Sequence, residues 1–362
     1  MSKRVVSILG TNNAVVYRRQ HYTQRGKWYV PLFVTIMIAA LFCSSQSAHA
    51  ANEHPATASS GSSDHYTQMI VKSSSKNQTD FIVQGVSIGM SEQALIDVLG
   101  EPARKDVSEY GFEWFIYNHN YKRYLQVGVN NSKVVALYTN AQDWTSASGI
   151  QFGSTKSEVE AALGPALTKI KKGNTNYNYK DNGGKLSIHR VGDLYATVFY
   201  DLNQQGTVTA IQLIAAETEL AFKGYYGTPS ERLRESFERE VFDLTNAIRV
   251  RYGKEPYEWN DVIADTARKH STDMKSRNFF NHNDPDGKTP FDRIKKDGIT
   301  YKVAGENIAA GQTSAIFVHE DWMNSSKHRK NIMGEYEQLG VGISFGGKSN
   351  VFYTQNFYTP NL

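Results

Sequence analysis

One cysteine in 362 residues leaves little room for sulfur chemistry. It is Cys43, near the N-terminus, and a chain processed beyond it holds no thiol at all. That excludes a disulfide framework, cysteine-ligated zinc and a thiol nucleophile. Positive charge is also scarce once its position is considered. The formal charge is +4, yet six of the 40 Lys and Arg fall in the first 50 residues, where there is no acid. The other 34 face all 36 Asp and Glu, a balance of −2, so no nucleic-acid footprint remains. Long hydrophobic runs are few. The clearest is residues 30–42 (VPLFVTIMIAALF), 13 uncharged residues, short for a membrane span, which needs roughly 18 or more. With 40% apolar and 12% aromatic residues, the chain is not mainly disordered, collagenous or polytopic. Its length exceeds what one core usually holds and predicts two domains.

The apolar run follows basic residues and precedes Ala48-His49-Ala50, the pattern of a secretory signal peptide. Residues 1–50 are therefore expected to engage a membrane during export, as a cleaved leader or as an N-terminal anchor. Residues 51–80 are rich in Ser, Thr, Asn and Gln. Such a stretch buries too little apolar area to offset its ordering entropy and reads as a flexible tether. The expected location is secreted or cell-envelope, membrane-anchored if the leader stays.

Residues 81–217 contain an internal repeat. Gly85-Val86-Ser87-Ile88-Gly89-Met90-Ser91 leads to Leu99-Gly100-Glu101-Pro102, and Gly149-Ile150-Gln151-Phe152-Gly153-Ser154-Thr155 leads to Leu163-Gly164-Pro165. In each copy a Ser or Thr cap opens a helix, an apolar helical period follows, and Gly then Pro closes it. Alternating strands come next, at 112–116, 124–129 and 134–138 in the first copy. In the second they are read at 177–179, 186–188, 195–199 and 208–213, separated by Asn- and Gly-rich turns. The expectation is one α+β domain of two helix-plus-antiparallel-sheet units, serving interaction or spacing, followed by a linker at 218–234.

Nearer the C-terminus, Phe237, Val241, Leu244 and Ile248 predict one amphipathic helix, and Ile263, Ala267, His270 and Met274 a second. His270 on that line reads as a buried, satisfied histidine. Asp284 and Asp286 before Gly287 read as a turn, because a calcium loop begun at His282 would end on Arg293. Arg329 and Lys330 could meet an anion or form a solvated helix end. Phe317, Trp322 and Tyr353 could line a groove or pack in a core.

The ordered set NFFNH (278–282), DPDG (284–287), GENIA (305–309), W-M-N-S-x-x-H-R-x-N-I (322–332), LGVG (339–342) and YTQNF (353–357) resembles the CAP superfamily. This family unites cysteine-rich secretory proteins, antigen 5 and pathogenesis-related protein 1, and the likeness is to its cysteine-free bacterial branch. It covers residues 235–362. The Leu-Gly-x-Pro repeat resembles the CAP-associated N-terminal domain of Bacillus-type exported proteins. The resemblance implies an α-β-α sandwich with a three-stranded antiparallel sheet and a cleft. It places His282, Glu306 and His328 in that cleft, with Asn307 and Trp322 beside them. The family's second glutamate falls on Ser325, and Glu320 is the nearest acid that could replace it.

These residues allow three readings. A binding cleft would take a small apolar ligand, a lipid, a peptide or a cell-wall component. A metal-dependent hydrolase or peptidase would use zinc or another divalent cation on His282 and His328, with Glu306 as general base. A structural envelope or spore-layer component would need neither. A Ser325-His328-Glu306 hydrolase is disfavoured, because no Gly-x-Ser-x-Gly motif appears.

Overall fold

The computed structural model describes residues 13–18, 80–179 and 181–361. The apolar run at 30–42, Cys43 and nearly all of the 51–80 tether lie outside the described residues. Among those described, no helix is long and apolar enough to cross a membrane.

Strand β1 (Asn13–Arg18) comes first and pairs far along the chain. The repeat starts at β2 (Phe81–Val83) and α1 (Glu92–Leu99). Ser91 caps α1 by accepting from the Ala94 N–H at 3.2 Å, and Gly100, at φ +78°, ends it. The first copy then lays down β3 (Arg104–Val107), β4 (Glu113–Tyr117), β5 (Leu125–Asn130) and β6 (Lys133–Thr139). Strand β7 (Trp144–Ser146) returns to pair with β2. In the second copy α2 (Lys156–Leu163) opens with a reciprocal Thr155–Glu158 capping box and closes at Gly164, φ +79°. A hairpin of β8 (Lys169–Lys172) and β9 (Thr175–Asn178) follows. Then come β10 (Leu186–Val191), β11 (Leu194–Asp201) and β12 (Thr207–Ala215).

The six main strands of the two copies, with β3 at one edge, form one antiparallel sheet in the order β10-β11-β12-β6-β5-β4-β3. The copies fuse where β12 pairs with β6, Ile211 to Ile214 against Thr139 to Ala136. Tyr177 lies in a strand, as expected, with Tyr179 just past its end, but that strand pairs in the β8–β9 hairpin rather than in the main sheet. Both faces of the sheet are buried. Phe115, Val127, Leu137, Val198 and Leu213 pack against Leu95 of α1 and Val159 of α2. Trp114, Ile116, Tyr138, Phe199 and Ile214 share one continuous core with the C-terminal half of the chain.

Residues 218–234, expected as a linker, are largely ordered. They contain the end of α3 (Ala216–Ala221) and the start of α4 (Glu231–Arg251), which Ser230 caps. Glu219 of α3 is buried beside Lys172 at 2.6 Å, which pins the segment to the β8–β9 hairpin.

Beyond α4 lie β13 (Glu258–Trp259), α5 (Asp261–Ser276), α6 (Pro290–Lys296) and β14 (Tyr301–Ala310). After them come α7 (Ala315–Met323), α8 (Ser326–Ile332), β15 (Gln338–Phe345) and β16 (Val351–Pro360). Strands β14, β16 and β15 form the expected antiparallel trio. Parallel β13 extends it at one edge and antiparallel β1 at the other. Side chains alternate across the trio. Tyr353, Phe357 and Ala309 join the core of α4 and α7, whereas Ile308, Ala310 and Phe352 pack with Met274 of α5. Gly340 and Gly342 let α5 lie directly on β15. A Cβ at Gly342 would sit 1.9 Å from the Arg268 amide nitrogen, and one at Gly340 2.2 Å from that of Ala264.

Candidate functional site

The face of β14 that looks toward α5 carries Glu306, with no solvent exposure. Three elements supply its partners. His282, in the loop after α5, brings Nδ1 within 2.8 Å of Oε1. Arg293 of α6 donates to Oε2 at 2.8 Å and to the His282 carbonyl at 2.9 Å. His270 of α5 holds Nε2 4.0 Å from Oε1 and 3.1 Å from the Asn281 carbonyl. The loop is shaped locally. Asp284 Oδ1 accepts from the amides of Asp286 and Lys288, and Arg277 holds Asp286 with two hydrogen bonds. The aspartates thus serve a turn, as read from Pro-Asp-Gly. Helix α6 then starts on a Thr289–Asp292 capping box with Pro290 in its first turn, which aims Arg293 back at Glu306.

Burial by itself would raise the Glu306 carboxyl above its ordinary range. The charge of His270, where that ring is protonated, the charge of Arg293 and the hydrogen bond from His282 outweigh it and hold the group below. Burial also pushes His270 below the usual imidazole range, so its ring is neutral at physiological pH. Arg293 is then the cation that keeps Glu306 ionised. An Nδ1–H of His282 donated to this carboxylate leaves Nε2 with its lone pair, and Nε2 has no hydrogen-bond partner among the described residues.

His328 enters differently. Its backbone carbonyl accepts from Asn307 Nδ2 at 3.2 Å, and its ring lies 6.2 Å from that of Trp322, centroid to centroid. Asn307 also donates to Gln355 and accepts from Asn331, whose amide reaches the Glu306 carbonyl. Asn307 therefore braces α8 against β14. Trp322 is buried and donates to the Ile308 carbonyl at 3.3 Å. Ser325 is half-buried at the start of α8. Three expectations need correction. The cluster is not an open hollow, since Glu306 and His328 are fully buried and His282 is only 8% exposed. Glu320 does not approach Glu306: its place on α7 turns it to the other side, where Tyr138 of β6 donates to it at 2.7 Å. Arg329 is no free cation, because it pairs with Asp201 at 2.8 Å.

Zinc or another divalent ion does not fit this arrangement. Both Glu306 oxygens are occupied, one by an arginine. Among the described residues no three His, Cys, Asp or Glu side chains assemble as a ligand set.

The helix pair α7–α8 is also clamped to the repeat sheet. Asp321 meets Lys185 at 3.0 Å and Asn182 at 2.6 Å, and Asn324 bonds the Leu202 amide and the Tyr200 carbonyl. Arg251 of α4 reaches the carbonyls of Asn140 and Thr209.

Residues 88–225 match the CAP-associated N-terminal family, and residues 242–357 the cysteine-rich secretory protein family, CAP. The chain is also 31% identical over 279 residues to the Bacillus subtilis protein named uncharacterized membrane protein YlbC, spanning 72% of this chain and 78% of that one. The chain belongs to the CAP superfamily. It is 42% identical over 123 residues to the B. subtilis protein YkwD, across 34% of this chain and 47% of YkwD. Among solved structures, an extracellular SCP-domain protein from Bacillus anthracis superposes with a TM-score of 0.66 at 29% identity, covering 79% of this chain and 99% of its own. A cysteine-rich secretory protein from Staphylococcus aureus, TM-score 0.58 at 19% identity, covers 76% and 92% and shares the fold. Arg293 escaped the sequence reading: its partner lies 13 residues away across a loop, and the usable signal was the Thr-Pro-Phe-Asp opening of α6.

Proposed function

We propose that this is an exported cell-envelope protein whose CAP domain binds a ligand rather than transforming one. The observation that carries this reading is the setting of Glu306. A fully buried carboxylate that holds His282 on one oxygen and Arg293 on the other, and whose proton affinity these partners lower, is an ordering centre and a poor base for water. The names of two relatives, a membrane protein and an extracellular one, support the location.

An extended peptide suits this edge of the domain better than a lipid. Strand β14 accepts β1 antiparallel over six residues, with Val15 opposite Glu306. An edge strand offers its unpaired amides and carbonyls to any such segment. Residues 13–18 precede the apolar run at 30–42, so a chain cleaved after that run would lack them and present β14 open beside His282. The N-terminal repeat then serves as a rigid mount.

Equilibrium titration of the purified chain lacking residues 1–50 with unstructured peptides, envelope-lipid vesicles and glycan fragments tests this. Peptides should bind, His282→Ala should weaken them about tenfold, and no cleavage should follow, with or without added zinc. Unchanged peptide affinity in His282→Ala would remove the cleft as the site. Peptide cleavage lost in Glu306→Gln would instead favour the hydrolase reading.

A further inference from the structure

Strand β8 reads Lys-Ile-Lys-Lys, and its alternation sends Lys169 and Lys171 to water and Lys172 inward with Ile170. The Lys172 side chain has no solvent exposure, and the Glu219 side chain that it meets on α3 has 5%. Nζ lies 2.6 Å from Oε1. With a C–O bond of about 1.2 Å, Glu219 Cδ falls within about 3.8 Å of that nitrogen, close to a near-attack arrangement. Yet Nζ has no aligned hydrogen bond to any acceptor among the described residues. An ammonium buried in that state is costly. An amide nitrogen there, with one N–H and no charge, costs far less.

Aromatic residues close the pair off and address both carboxyl oxygens. The rings of Tyr177 and Phe222 stand 4.8 and 5.0 Å from Nζ, measured to their centres. The Tyr110 hydroxyl donates to Glu219 Oε2 at 2.5 Å, and the Tyr179 hydroxyl to Oε1 at 3.3 Å. Burial, with the Glu219 charge adding to it, holds both hydroxyls above the usual phenol range, so each keeps the proton it donates. We propose that Lys172 and Glu219 join in an intramolecular isopeptide bond, Nζ to Cδ, which ties the β8–β9 hairpin covalently to α3.

The step needs no further reactant. A proton passes from the ammonium to Oε1, leaving an amine and a carboxylic acid, both neutral, as a dry site favours. The Nζ lone pair then forms the bond to Cδ, and the electron pair of the C–O double bond moves onto Oε2. Tyr110 is already placed to stabilise that oxyanion. The double bond re-forms as Cδ–Oε1 breaks, and Oε1 leaves as water with the first proton and a second one from Nζ. Fixed contact between the reacting groups supplies the effective concentration that free amine and acid lack.

Mass spectrometry of the full chain, denatured and then digested with trypsin, is the test. The parent should be one water lighter than its sequence requires. Its digest should contain a branched peptide joining Lys172 to Glu219, uncut after Lys172. Lys172→Arg and Glu219→Ala should each restore the mass that their sequence requires, while Lys223→Arg, at an exposed lysine, keeps the link. Followed from synthesis in cell-free translation, Tyr110→Phe should form the link about a hundredfold more slowly. Circular dichroism confirms that each variant folds. Should Lys172→Arg fail to fold, the parent's digest decides alone. A folded parent of full sequence mass, cut normally after Lys172, overturns the proposal. A water loss that survives in Lys172→Arg or Glu219→Ala overturns it too, and linkage at the parental rate in Tyr110→Phe removes Tyr110 from the step.

Discussion

At the scale of single residues, Arg293 matters more than its unremarkable place in the sequence suggests. It is the lasting positive charge on a carboxylate with no solvent exposure. Removing one partner of a buried pair leaves the other charge uncompensated, which costs about 3–5 kcal/mol. Arg293→Leu should lose stability on that scale in urea denaturation, and Arg293→Lys should recover some of it. A loss below about 1 kcal/mol would mean that His282 and His270 suffice. The histidines and Glu306 were legible in the sequence because motifs carry them. Their pairing was only partly legible. Glu320 shows why: two residues along α7 from Trp322, it was a candidate for the cleft, and only the helix register could show that it faces Tyr138.

Among elements, the helices that could be read in advance are those with strong local signals. Helices α1 and α2 repeat at a spacing of 64 residues, with matching caps and matching glycine stops. Helices α4 and α5 bury the positions that their periodicity marks. Helix α6 is only seven residues long and has no apolar period to find, yet it delivers Arg293. Its stability rests on its first turn. Thr289→Ala removes a hydrogen bond to the Asp292 amide and one to its carboxylate, and should cost about 1 kcal/mol. Hydrogen exchange should quicken in residues 290–296 and spread to the His282 loop. Unchanged exchange there would show that the loop holds itself. The strands misled in one respect. Alternation predicts one buried face and one wet one, but β5 and β12 are almost wholly buried, because the second face is covered by residues distant in the sequence.

The whole molecule carries buried carboxyls in the contact between its two halves. Burial pushes Glu320 up to about 7 from an ordinary 4.5, against the hydrogen bond from Tyr138, which lowers it. A carboxyl with a raised native value makes the fold bind a proton more tightly than the unfolded chain does. Its contribution is fully present below about pH 4.5 and is lost as pH rises toward 7. His319, pushed down to about 3 by burial, acts with the opposite sign between about pH 3 and 6.5, so a difference between variants is cleaner than an absolute curve. Glu320→Gln should match the parent near pH 4.5 and gain on it by up to ~3 kcal/mol by pH 7.5. A pH-independent difference would show that Glu320 titrates normally.

The single core running from Trp114 and Phe199 through Phe237 to Trp322 has a practical corollary for anyone trimming this protein. Severing the backbone between Phe222 and Ser230 would leave a pair of fragments that each wear a greasy wall where the other used to be. Such fragments should clump in solution, and work on either half calls for the uncut polypeptide.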